Sequence, residues 1–256
     1  MRPTWSRYAE LILLKSYADL RAETERTLFG FAWWFIDPIF NMAVFYFVFG
    51  FILQRGTPHF VPFLLTGLVV WKWFGSAFSS GGNAISSNVG LIRQVRVPKI
   101  VFPLISVVTD SFRFSIAFAI LLVFLWIYGF EPRVQYLALP AVLATELLFI
   151  LGTTVLLCSL TPFLPDINML LENVLRAAFF LSGIFFPISN VPPEVRGYFY
   201  LNPMVTIIES FRDVLMYGRW PDWSGLGIIA FVSLLLGFVG LTILRRNDGV
   251  YEKYLT

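Results

Sequence analysis

The sequence predicts an all-α integral membrane protein. Six transmembrane helices are expected, with an N-terminal amphipathic interface helix and short re-entrant or interfacial helices between spans five and six. Three observations carry that expectation. Hydrophobic residues fill 57% of the 256 positions and charged residues only 14%, against about 25% charged in an average soluble domain. Apolar stretches at 36–53, 60–78, 100–128, 137–160, 170–187 and 226–244 come close to or exceed the ~20 residues with which a helix crosses a bilayer. Turn-rich breaks separate them, among them QRGTPH, SSGGNAISSNVG, GFEPRVQ and TPFLPDIN. No internal repeat divides the chain, so 1–256 reads as one membrane domain.

The same composition excludes several function classes. A net charge of +3, spread along the chain, does not mark a nucleic-acid partner. One cysteine, Cys158, and one histidine, His59, leave no intrachain disulfide and argue against a Cys/His metal site or nucleophile pair. No G-x-x-x-x-G-K-[ST] is present, so the chain binds no nucleotide through a P-loop of its own. The polar opening stretch lacks a short apolar core, and no cleavable signal peptide is expected.

Residues 4–28 come first and read as an amphipathic helix. Leu11, Leu14, Ala18 and Ala22 recur at helical spacing, while Arg7, Lys15, Arg21 and Arg26 supply basic charge. Such a helix rests in the membrane interface, its basic residues beside anionic headgroups; docking on a partner protein suits the pattern as well. Trp33 and Trp34 follow where an aromatic belt is expected, and Asp37–Pro38 opens the first span.

Orientation follows from basic residues. Arg2, Arg7, Lys15, Arg21, Arg26, Arg93, Arg96, Lys99, Arg245, Arg246 and Lys253 fall on the side of the termini. They outnumber Arg55, Arg133, Arg196, Arg212 and Arg219 opposite, which places both termini in the cytoplasm. The loop at 89–99 carries Leu91, Ile92 and Val95 as one apolar stripe, flanked by Arg93, Arg96 and Lys99 and closed by Pro98. It serves as a positive-inside signal, and it is equally fit to dock in a partner's groove.

Ionisable residues inside apolar stretches are functional candidates. They are Lys72, Asp110, Arg113, Glu146, Glu172 and Arg176. Asp110 and Arg113, three apart, can neutralise each other, as can Glu172 and Arg176, four apart. Lys72, beside Trp71 and Trp73, can snorkel outward.

The segment 188–218 is too broken by proline to span. One short helix is expected from Pro193, with Glu194 in its first turn. A second is expected to be capped by Asn202 and to start at Pro203. In it Met204, Ile207, Ile208, Phe211, Val214 and Leu215 form an apolar face. Glu209, Arg212 and Asp213 occupy the remainder, with Glu209 and Arg212 spaced to pair.

Taken together, the stretch RTLFGFAWWFIDPI, the basic loop after the second span and the block LNPMVTIIESFRDVLMYG resemble the membrane (permease) subunit of bacterial ABC polysaccharide exporters. Within that group the O-antigen permeases are most similar and the teichoic-acid permeases next. The resemblance covers essentially the whole chain. It implies a bacterial inner-membrane homodimer that assembles with two copies of a separate ATPase, which holds ATP and Mg. It implies a polysaccharide on an undecaprenyl-pyrophosphate carrier as cargo, and no catalysis by this chain. Leu91–Pro98 then matches the coupling helix, the arm an interface helix, and 188–218 an external gate. Aromatic rings suit such a cargo, since sugar C–H faces stack on them without fixing one sugar sequence; Trp33, Trp34, Trp71, Trp73, Tyr198 and Tyr200 are candidates for that path. Arg26, Arg93 and Arg96 are available to a pyrophosphate. Export of a lipid or drug, an ATP-independent channel, and an intramembrane enzyme using Asp110, Arg113 or Glu146 are the alternatives.

Overall fold

The computed structural model describes residues 5–25, 29–52, 59–94, 97–164, 167–249 and 251. Every regular element among them is helical. Physics favours this, because hydrocarbon offers no partner to a free backbone N–H or C=O, whereas a helix satisfies its own.

In chain order, α1 (Trp5–Glu25) lies against the start of α6, described below. α2 (Trp33–Phe45) continues as a π-helix over Tyr46–Ile52. α3 (Phe60–Gly82) leads through the short α4 (Ala84–Ser87) and α5 (Val89–Gln94) to α6 (Val101–Ile127). A 3-10 turn at Val134–Ala138 enters α7 (Leu139–Leu160), and α8 (Ile167–Phe180) follows. α9 (Pro193–Phe199) and α10 (Pro203–Arg212) make up the proline-broken region, and α10 runs on as a π-turn over Asp213–Tyr217. α11 (Trp223–Arg246) is last.

Among the described residues, four helical stretches are long and apolar enough to cross a membrane: α3, α6, α7 with its 3-10 lead-in, and α11. They occupy the second, third, fourth and sixth expected spans. The other two differ from expectation. The first starts at Trp33, so Pro38 falls inside α2 instead of opening it. The missing proline N–H leaves the ladder one bond short there. For the fifth, α8 has only 14 residues, which rise about 21 Å against a hydrocarbon core of roughly 30 Å. The chain leaves the helix after Phe180, and Gly183 takes a left-handed φ of 66° in the turn.

Close packing is built on small residues. α11 runs alongside α7, with Gly152 against Ser233 and Gly240 against Leu156. A Cβ on Gly152 would stand 2.3 Å from the Ser233 carbonyl oxygen, and one on Gly240 would stand 2.7 Å from the Leu156 backbone. Backbones this close gain dispersion contacts, the main attraction left between helices in lipid. α3 is the central helix, packed by α6 and α7 through ring stacks: Trp73 on Phe114 at 4.1 Å and Phe74 on Phe149 at 5.1 Å.

α1 has two apolar stripes. Ile12, Ser16 and Leu20 turn inward; Ile12 packs by Val97, Val101 and Ile105, and the Ser16 hydroxyl donates to the Ile105 carbonyl at 3.2 Å. Leu11 and Leu14, the stripe legible in the sequence, remain exposed on the other side.

Candidate functional site

A cavity of about 760 Å³ opens between α2, α3 and α6, with Glu23 of α1 and Phe179 of α8 at its edges. Its size falls in the roughly 300–1,000 Å³ range of small-ligand sites. Trp33, Trp34, Trp71 and Trp73 all line it. They are not equivalent. Trp33 is exposed, whereas Trp71 and Trp73 are buried, and Trp73 donates its indole N–H to the Ser111 hydroxyl at 3.2 Å. Tyr198 and Tyr200 lie elsewhere, at the C-terminal end of α9.

Every ionisable side chain lining this cavity has a partner. Lys72 of α3 is ion-paired with Asp37 of α2. Arg113 of α6 donates to Asp110 at 2.7 Å and to Glu23 of α1 at 2.5 Å. Asp110 also accepts from Ser76 at 2.9 Å and from Ser80 at 2.5 Å. Charges are thus paired across helix boundaries, with Arg113 shared by Glu23 and Asp110, which makes their place beside apolar walls tolerable. The cavity offers aromatic faces and hydroxyl-competent groups rather than a free charge. Glu146 does not belong to it: the side chain is fully buried in α7, and neither carboxylate oxygen has a hydrogen-bond partner. Asp110, Arg113 and Glu146 therefore do not form one site. Glu172 and Arg176 are both exposed on α8.

At the end where α5 lies, Ile92 is buried and Leu91 and Pro98 are half-buried. Val95, Arg96 and Arg26 lie outside the described residues, and so does the side chain of Arg93. On α1, Arg7 and Arg21 are exposed; Lys15 pairs with Asp19, and Arg21 donates to Glu25 at 2.7 Å.

At the opposite end, Pro193 occupies the first position of α9 and Glu194 stands in its first turn. The Asn202 side chain accepts from the Met204 N–H at 3.1 Å and donates to the Ser182 hydroxyl at 2.8 Å, so one residue both caps α10 and ties it to the turn after α8. The apolar residues Met204, Ile207, Ile208, Phe211, Val214 and Leu215 are all buried.

Arg212 departs from expectation. It does not sit on a polar face paired with Glu209 but points into the core, 2% exposed. Its guanidinium lies 3.3 Å from the centroid of the Phe63 ring. It donates to the carbonyls of Phe63 (3.2 and 3.1 Å), Gly183 (2.8 Å) and Ile184 (3.1 Å). The last two carbonyls lie in the turn after α8, where no helix satisfies them. Glu209 instead accepts from the Tyr200 hydroxyl at 2.9 Å. Burial raises the Glu209 carboxyl, and burial together with that bond pushes the Tyr200 hydroxyl up to about 12. Asp213 is half-buried and begins the π-turn.

Sequence reasoning missed Glu23, Ser76, Ser80 and Gly67. Gly67 matters because a Cβ there would stand 2.7 Å from Arg212 Nη2. No local pattern points to these four, since their partners are 30 or more residues away in the chain.

A family model described as ABC-2 type transporter matches residues 22–216. The O-antigen export system permease protein RfbA of Myxococcus xanthus is 29% identical over 245 residues, 94% of each chain. RfbA of Klebsiella pneumoniae is 24% identical over 93% of this chain and 92% of its own. The polysialic acid transport protein KpsM of Escherichia coli is 26% identical over 90% of both chains.

Proposed function

This chain belongs to the ABC-2 type transporter family, and we propose that it is the permease of an ATP-driven exporter that moves a lipid-linked polysaccharide across the bacterial inner membrane. The observation that carries the reading is the cavity walled by Trp33, Trp34, Trp71 and Trp73, with its charges internally paired. Rings of this kind hold sugar C–H faces without selecting one sugar sequence, which a polymer with varying units requires. Relatives named for O-antigen and polysialic acid transport support the polysaccharide cargo. An undecaprenyl-pyrophosphate carrier is the lipid to which that cargo is joined.

Two copies of the chain form the channel, and two copies of a separate ATPase hold ATP and Mg. Both termini are cytoplasmic, and α2 with its π-helical extension and α8 complete six membrane passages. ATP-driven closure of the partner acts on α5 and α1. Because α1 packs on the start of α6 and its Glu23 reaches Arg113, movement of the arm is transmitted to the cavity's ion pairs. α9 and α10 close the external end and yield as polymer passes. The permease breaks no covalent bond; its work is to bind, orient and exclude water.

Deleting the gene tests this reading. Surface polysaccharide is expected to vanish while lipid-linked polymer accumulates inside, with recovery when the gene is restored. Undiminished polymer at the surface of the deletion strain would overturn it.

A further inference from the structure

Tyr251, five residues beyond the end of α11, packs back into the protein. Asn247 follows the last helical residue, and its N–H and side-chain Nδ2 each lie 3.1 Å from the Ile243 carbonyl oxygen. A turn then carries the chain to Tyr251, whose N–H reaches the Asn247 carbonyl at 3.3 Å. Tyr251 is fully buried.

Its hydroxyl donates to the Ser159 carbonyl at 3.0 Å. Ser159 is one residue short of the end of α7, where a helix's last four carbonyls lack an intrahelical donor. The phenol therefore satisfies a backbone acceptor that is costly to bury alone. Its ring lies 5.0 Å from that of Phe163, just beyond α7. The same ring joins an apolar cluster with Ile92 of α5, Phe102 of α6, Cys158 of α7 and Leu244 of α11. With Ala84 and Ile85 of α4, five helices thus contribute to the cluster that holds the tyrosine. α5 is only six residues long, and a helix so short has no stability of its own in isolation. Its placement is set by what Ile92 packs against.

We propose that Tyr251 is a positioning residue for α5: by capping α7 and filling the cluster that receives Ile92, the tail fixes where the short helix is presented. Its consequence for export rests on the proposed contact between α5 and the ATPase. A push on α5 then reaches α7 and α11 through this cluster.

The test is hydrogen exchange on the full chain in nanodiscs, comparing wild type with Tyr251→Leu and Tyr251→Phe. Tyr251→Leu is expected to speed exchange over 89–94 by about 10-fold and leave α3 unchanged, because only a local opening is made easier. Tyr251→Phe keeps the ring and loses the bond to Ser159, and is expected to give roughly 3-fold. Wild-type exchange over 89–94 in the Leu variant overturns the proposal, as does an equal rise in α3 and α5 for both variants. Surface polysaccharide is measured in the same variants at matched amounts of chain in the membrane, and is expected to fall with Tyr251→Leu. Faster exchange with wild-type export keeps the positioning role and overturns the reading of α5 as the ATPase contact.

Discussion

A guanidinium in an interior needs acceptors arranged around its fork, and Arg212 finds them in backbone that its own helix does not supply. Three carbonyls, from α3 and from the turn after α8, converge on it, and the Phe63 ring covers its face. Gly67 clears the space. Removing the side chain strands the Gly183 and Ile184 acceptors, and hydrogen bonds to charged groups contribute about 1.5–3 kcal/mol each without being additive. Arg212→Ala is therefore expected to lower stability by on the order of 3 kcal/mol, and Gly67→Ala to reproduce much of that loss by pushing the guanidinium off its carbonyls. Arg219→Ala, at an exposed position, is expected to change little. Thermal unfolding of the three variants in detergent checks this order; unchanged midpoints for Arg212→Ala and Gly67→Ala would contradict it. A helical wheel assigns any arginine to the polar face, so this role was not legible in the sequence. The acceptors lie 28 to 149 residues away.

At the scale of elements, local chemistry was readable and length was less so. Asn202 before Pro203 announced a helix start, because an Asn cap and a proline at the first position are both set by neighbouring backbone. The cap forms as that logic requires. Its second bond, to Ser182, belongs to tertiary structure and was not visible. Asn202→Ala removes both and is expected to cost about 1–2 kcal/mol, while Asn202→Asp keeps the cap acceptor and is expected to cost less. Chemical unfolding that ranks the two variants equally would show that the tie to Ser182 dominates. α2 and α8 are the elements whose bounds differ from the apolar stretches that announced them. Pro38 sits inside one, and the other ends at Phe180 because Gly183 turns the chain toward the carbonyl site of Arg212.

For the whole molecule, the membrane character and four long helices follow from composition and run length, which need no knowledge of contacts. The candidate cavity was legible only in part. Trp33, Trp34, Trp71 and Trp73 stood out as aromatic residues and do share one cavity, but Tyr198 and Tyr200 do not reach it. Lys72 read as an isolated charge because its partner, Asp37, is on another helix; Arg113 likewise reaches Glu23 across 90 residues. These pairs tie α1, α2, α3 and α6 around the cavity, which joins the arm to the place where cargo is proposed to bind. The central claim is ATP-driven movement of a lipid-linked polysaccharide by this chain and its ATPase. Its most direct test is transport in proteoliposomes that contain both proteins and a lipid-linked polysaccharide. Polymer is expected to cross only with ATP, to stop when the ATPase is inactivated, and to stimulate ATP hydrolysis. Hydrolysis that responds to a hydrophobic drug and ignores the lipid-linked polymer, or polymer that crosses without ATP, would contradict the account.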